Sequence, residues 1–391
     1  MNDYFKFSIP ESVLREQVSC DETLFSHRSV EGVRAVRHFL RDGVSAGVEV
    51  WEISNADVCV WIVPTRGMGI WKVCVKNGAD EIRVGWNSPV RDLINPQNVP
   101  LFQPDGLGWL RGFNELVARC GLEWNGAPQW DASGNLQFPL HGMIQNTPAR
   151  ALRLEFDDEK REIRLSGVVR EARLFFNALE LTSTLTLPYD GATFRTTDVV
   201  ENTSAAPGEL ELLYHINVGN PVADEGARAF IPFKRCAPRN DTAAAQMQTR
   251  LEYLPPQVGR PETCYYYDLA ADENGDTAVF LQNPTADFGV ALDFNKKEFP
   301  CFCQWKCEQA RDDGYVTGLE PAINFPNNRD FEKAHGRVAR LESKESRAFH
   351  LCFSFRRGAD EVAREVERIN ALQALSPSPI LETKPLEDWA N

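Results

Sequence analysis

The sequence predicts an all-β fold: one large domain with minor helices. Three observations lead there. Most of the chain reads as short strand-forming segments, and many alternate apolar and polar residues with period two, as half-buried antiparallel strands do. Turn residues separate them, as in DDEK at 157–160, where Asp tolerates tight backbone angles. Neither an internal repeat nor a Pro/Ser linker divides the 391 residues, whose 43% hydrophobic content suffices for a sizeable core.

Taken in order, ESVLREQVS (11–19) reads as a helix. The strands VEVWEIS, VCVWIV and IWKVCV follow. Residues 87–140 are different: rich in Pro, Gly, Asn and Trp, they show little periodicity, and so long an irregular stretch in a compact domain often carries function. Strands resume with ALRLEF, EIRLSGVVR, LELTSTLTL, TFRTTDVVEN and ELELLYHI, then TAVFLQN, GVALDF, FCQWKC, YVTGLE, RVARLE and RAFHLCFSF. A second helix is expected over 359–375, where Val362, Val366, Ile369 and Leu372 recur at helical spacing. The tail PSPSPILETKPLEDWAN is expected to run over the surface.

Composition narrows the function. A formal charge of −14, with no Lys/Arg cluster, argues against nucleic acid and anionic membranes as partners. The N-terminus lacks a basic segment followed by an apolar one, and no run of apolar residues is long enough to span a bilayer, so a cytoplasmic location is expected. Ten cysteines fit that address if reduced. In CFCQWKC, Cys301, Cys303 and Cys307 share one strand face with Trp305, a spacing that suits core packing better than convergence on a metal. No metal or cofactor is expected, because Walker A, HExxH, GxSxG and dinucleotide patterns are all missing.

Few residues stand out as chemical. Of six histidines, His27, His38, His335 and His350 sit in unremarkable settings. His141, in FPLHGMIQN, and His215, in LLYHINVGN, each end an apolar approach beside an amide and a Gly-containing turn; Asn217 falls on the same strand face as His215. Glu320 closes YVTGLE just before Pro321, where the chain is expected to leave the sheet; burial there would raise its pKa and suit it to base catalysis. Arg66 in PTRGMGI could donate to sugar hydroxyls or a carboxylate. Trp86, Trp109, Trp124, Trp130 and Trp305 offer flat faces, of which one or two are expected to meet a ligand. Asn114, Glu115 and Asp268 are weaker candidates.

Taken together and in order, PTRGMGI, RGFNELVARCGLEWNG, FPLHG, LLYHIN and GYVTGLEPAINFP resemble the galactose mutarotase-like superfamily, and within it an aldose 1-epimerase-like branch with a DUF4432 domain. The resemblance covers about residues 45–356, leaving 1–44 as an N-terminal extension and 357–391 as a C-terminal helix and tail. It implies a large antiparallel β-sandwich that binds a small sugar or sugar derivative on a concave face. It also implies His215 as general acid, Glu320 as general base and His141 as a substrate-positioning residue. Asn217, Arg66, Trp305, Asp268 and Asn114 are the further binding candidates. Two other readings stay open. One is a carbohydrate-binding protein without turnover; the other is a glycoside-processing enzyme, which would pair Glu320 with Asp268 or Glu115. A charged sugar would call on Arg66, Arg111, Arg119 or Arg329.

Overall fold

The computed structural model describes Leu14–Glu16 and residues 32–391. Six strands carry the functional region: β1 (Gly69–Asn77), β2 (Val117–Leu122), β3 (Gly208–Gly219), β4 (Thr263–Leu269), β5 (Cys301–Cys307) and β6 (Val316–Ala322). They lie side by side in a 14-stranded sheet in the order β1-β2-β3-β6-β5-β4. Before β1 come Leu14–Glu16, Arg34–Phe39, Glu49–Ser54 and Val58–Val63; beyond β4 come Phe233–Pro238 and Ile380–Leu381. An 8-stranded sheet, running from Arg150–Asp157 through Ser346–Arg357 to Arg228–Phe230, packs against it as the second layer of a β-sandwich.

Strand alternation decides what each layer sees. In β3, Leu212, Tyr214, Ile216 and Val218 point into the core between the sheets, with Leu185, Phe194 and Leu292 from the smaller sheet. Burying each such side chain contributes about 1.5–3 kcal/mol. Leu213, His215 and Asn217 then face the opposite way, yet they are buried too. The reason is the irregular segment before and after β2, which folds over that outer face with Trp86, Trp109 and Phe113 and makes a second core with Cys120, Cys264 and Cys303. A strand covered on both faces reads as a continuous apolar run, which is why ELELLYHINVG shows so little alternation.

The two layers are also cross-linked by a buried polar network. Arg119 on β2 pairs with Asp198 of the strand Thr193–Asn202 and donates to Ser183 Oγ at 2.8 Å, while the Tyr214 hydroxyl donates to Asp198 at 2.5 Å. Its members satisfy one another, which is the condition for burying charge without a large penalty.

The helix expected at the C-terminus spans Ala359–Ala374 and seats Val362 and Ile369 on Ala278, Phe280 and Ala291 of the smaller sheet. The tail after it is docked rather than loose: Ile380–Leu381 adds a parallel strand beside Phe233–Pro238, and Trp389 packs on Phe325. The helix expected over 11–19 is a miss at its centre. Leu14–Glu16 is a strand paired with Arg34–Phe39, and the remaining residues lie outside the described ones. A nine-residue helix without a packing partner is marginal, and a sheet edge offers a ladder instead. Residues 34–39, assigned to the N-terminal extension, thus belong to the larger sheet. Two short helices, Asp241–Ala244 and Arg329–Ala334, escape the sequence reading because each is a single turn or so; Asn240 and Asn328 cap them. Among the described residues no helix is long and apolar enough to cross a membrane.

Candidate active site

His215 and Glu320 come from neighbouring strands, β3 and β6, whose pairing is fixed on either side by Leu213 with Ala322 and Ile216 with Leu319. That register places His215 Nε2 3.3 Å from Glu320 Oε1. Asn217, two residues along β3, accepts at 2.5 Å from His215 Nδ1. The amide cannot be turned round: its Nδ2 donates to the carbonyls of Glu115 and His215, both at 3.0 Å. His215 therefore carries its proton on Nδ1 and turns the Nε2 lone pair toward Glu320. Gly318 makes the approach possible. A Cβ there would stand 2.2 Å from Glu320 Oε1 and 3.1 Å from His215 Cε1.

His141 enters from the irregular segment, with φ at +60° and Gly142 following at +78°. Gly142 is required by contact as well, since a Cβ would lie 2.2 Å from the Gly121 carbonyl oxygen. His141 Nδ1 donates at 2.8 Å to the Asn125 carbonyl, leaving Nε2 as the acceptor. The two imidazoles are 5.4 Å apart between centroids, edge to face, with Trp109, Phe113 and Trp305 around them at 4.7–6.2 Å. Together they line a cavity of about 350 Å³. Polar atoms are left over in its walls: Trp109 Nε1 has no hydrogen-bond partner among the described residues, and Glu320 Oε1 makes no hydrogen bond there beyond its 3.3 Å approach to His215 Nε2. Buried polar groups are normally satisfied, so these two are available to a ligand.

Burial dominates the electrostatics. It raises the Glu320 carboxyl to about 8, against the opposing hydrogen bond from Cys303, which stands opposite it on β5. Burial lowers His141 to about 4 and holds His215 well below the usual histidine value, the neighbouring His141 adding to the second effect. Near neutrality the His215–Glu320 pair thus holds one exchangeable proton, shared between a carboxylate and an imidazole within reach of each other. Such a pair can take a proton at one atom of a ligand and deliver one at another.

Comparison with known proteins gives the family. Residues 45–355 match the model described as "Domain of unknown function (DUF4432)". The chain belongs to the DUF4432 family. A crystal structure from Klebsiella pneumoniae, provisionally named an aldose 1-epimerase, is 30% identical, with a TM-score of 0.86 over 91% of this chain and 92% of that one. A galactose mutarotase-like protein from Clostridium acetobutylicum superimposes with a TM-score of 0.58 at 14% identity, over 84% of this chain and 100% of that one. A galactose mutarotase related enzyme from Lactobacillus acidophilus does so with 0.53 at 11%, over 80% and 98%. At that identity the last two show the fold alone, a galactose mutarotase-like β-sandwich. No curated protein matches the chain.

Within this DUF4432 chain the structure gathers some of the residues singled out in the sequence and scatters others. His141, His215, Glu320, Trp305 and Trp109 line the cavity, and Asn217 stands directly behind His215. Arg66 does not reach it. Its guanidinium is buried against Glu115 and donates to the Gly112 and Ile94 carbonyls and to Asn146 Oδ1, at 2.8, 3.1 and 2.9 Å. Asn114 is likewise internal, donating to the carbonyls of Val90 and Asp92. Asp268 pairs with Lys296, outside the cavity lining. Neither carboxylate proposed as a partner for Glu320 is therefore beside it. Among the lining residues that the sequence did not single out as binding groups are Arg239, Glu262, Phe113 and Cys264. Phe113, inside the quoted stretch RGFNELVARC, had a signal; Arg239 and Glu262 flank strands and arrive only through tertiary folding.

Proposed function

We propose that the chain is a mutarotase of the aldose 1-epimerase type, interconverting the anomers of a small sugar in the His215–Glu320 cavity. The observation that carries the reading is the shared-proton pair: a buried carboxyl and a tautomer-locked histidine at 3.3 Å, both lining an aromatic-walled cavity. The cavity is at the small end of ligand pockets, which span roughly 300–1,000 Å³ and suit a single ring at that end. The name of the Klebsiella pneumoniae relative supports the same class.

In this reading Glu320, as carboxylate, removes the proton from the anomeric hydroxyl while His215, carrying the pair's proton on Nε2, protonates the ring oxygen. The C1–ring oxygen bond breaks, giving the open-chain aldehyde. Rotation about C1–C2 presents the other carbonyl face; the ring hydroxyl then attacks, returning its proton to His215 as Glu320 gives its own back to O1. The proton count closes on these two side chains. General acid and base steps of this kind contribute about 10²–10⁴-fold each. His141 Nε2 accepts from a ring hydroxyl, and Trp109 and Trp305 cover the apolar face of the ring.

The test is direct. A freshly dissolved single anomer is followed by NMR, with and without protein, across a panel of aldoses. The reading predicts faster approach to the anomeric equilibrium for at least one of them. Saturable binding without acceleration would instead indicate a carbohydrate-binding protein that does not turn over.

A further inference from the structure

Most of the cavity is neutral at its His215 end, but the opposite end is not. The sheet order runs from β3 through β6, β5 and β4 to Phe233–Pro238, and Arg239 follows that last strand, held by its backbone N–H to the Cys264 carbonyl at 2.9 Å. It therefore reaches the cavity from the side opposite His215, and among the described residues it is the one Lys or Arg side chain in the lining. Its situation differs from that of the other arginines weighed for a charged ligand. Arg66, Arg119 and Arg329 spend their donors on fixed carboxylates and carbonyls, and Arg111 is exposed, outside the lining. Among the described residues the Arg239 side chain makes no hydrogen bond; its nearest carboxylate oxygen, Glu262 Oε1, stands off at 3.8 Å. Glu262 is itself committed, its Oε2 accepting from the Trp305 indole at 2.7 Å. The guanidinium in the lining thus has no hydrogen-bond acceptor among the described residues, and a guanidinium is the group that binds carboxylate or phosphate in two-point fashion. On a chain of formal charge −14 an anion gains nothing from long-range attraction, so a fixed local cation is what recognition requires.

We propose that Arg239 is the specificity residue of this cavity and that the preferred substrate is an aldose carrying an oxyanion, a carboxylate or a phosphate, at the end remote from its anomeric carbon. This rests on the mutarotase reading and narrows its substrate class. Glu320 and His215 hold the anomeric end; Arg239 holds the charged end; Trp305, fixed by Glu262, covers the ring between them.

Matched pairs test it: glucose against glucuronate, and glucose against glucose 6-phosphate, with anomer exchange measured by NMR for wild type, Arg239→Gln and Glu262→Gln. Wild type should favour one or both anionic members, and which of the two distinguishes carboxylate from phosphate. Arg239→Gln should lower kcat/KM for the anionic member by about 10–100-fold, mostly through KM, and change glucose by less than about threefold. Glu262→Gln, which removes the competing carboxylate, should shift the anionic-to-neutral ratio the other way, an effect that mere misfolding would not produce. Equal losses on neutral and anionic sugars, or a wild-type preference for glucose, would overturn the assignment. If no sugar is turned over, the mutarotase reading fails by itself. Titration of glucuronate, glucose 6-phosphate and glucose then decides for Arg239: tighter anion binding that is lost in Arg239→Gln upholds it, and equal or absent binding refutes it.

Discussion

Glu320 is only 2% exposed, and its carboxyl, raised to about 8 by burial, keeps a proton on the His215 pair at neutrality. Above that value the proton leaves, the histidine Nε2 has nothing to give, and the acid half of the cycle stops. The mutarotation rate should therefore hold near neutrality and fall as pH rises through about 8; a rate that climbs through the same range would show that Glu320 needs only to be deprotonated. Gly318 gives a steric test at the same scale. In Gly318→Ala the new methyl must displace the Glu320 carboxylate, with its Cβ 2.2 Å from Oε1. Misplacing a reacting group by about 1 Å can cost on the order of 100-fold, so kcat should drop by that order while circular dichroism stays that of wild type. An active Gly318→Ala protein would mean that Glu320 has room the structure does not give it. This part of the site was legible in the sequence: period two alone puts His215 and Asn217 on one strand face, and Glu320 stood out as the carboxylate of YVTGLE before Pro321. Arg66 was not. A buried arginine locked on a carboxylate and a ligand-binding arginine look the same in sequence, because only the folded partner list separates them.

At the scale of elements, the two strands do not hold the pair by themselves. Arg66, at the end of Pro64–Arg66, fixes Glu115; the Glu115 carbonyl fixes Asn217; and Asn217 fixes the proton of His215. The same guanidinium donates to the Gly112 carbonyl, at the end of the segment Gly108–Gly112 that brings Trp109 over the cavity. Arg66→Met leaves Glu115 buried without its counter-charge, and denaturant unfolding should show a loss of about 3–5 kcal/mol. A loss under about 1 kcal/mol would make the pair incidental. Asn217→Ala should fold but lose about 10–100-fold in kcat with little change in KM, the usual scale for removing a group that orients a functional histidine. An unchanged kcat would show that the tautomer is set elsewhere. The stretch 87–140 stood out by its length and lack of period, although Val117–Leu122 within it, read as irregular in the sequence, is a strand inside the larger sheet. What it does could not be read there, because covering the outer face of β3 is a property of the two elements together.

For the whole molecule, the strand pattern and the C-terminal helix followed from periodicity, whereas the docked tail and the short N-terminal strand depend on sheet edges that local sequence does not reveal. Stability carries a pH signature of the buried acids. Burial raises Glu171 to about 7 and Glu211 and Glu320 to about 8, so each binds its proton more tightly folded than unfolded. The stability from those protons is complete below the ordinary carboxyl value and is lost as pH rises toward 7–8. His141, lowered to about 4, acts in the other direction, losing its contribution as pH falls from 6.5 to about 4. Above pH 6.5 only the carboxyl effect remains among these groups, and the urea midpoint should fall from pH 6.5 to 9. Glu211→Gln should flatten that fall; an alkaline decline of unchanged slope would remove Glu211 from the account.

In the proposed mutarotase, His215 and Glu320 together move the protons of anomer exchange. This is tested most directly by NMR exchange rates on the best aldose of the panel for wild type, Glu320→Gln and His215→Asn, each checked for native circular dichroism. Wild type should accelerate the exchange, and each folded variant should lose about 10²–10⁴-fold of that acceleration. Anomer exchange at the wild-type rate in either variant would contradict that assignment.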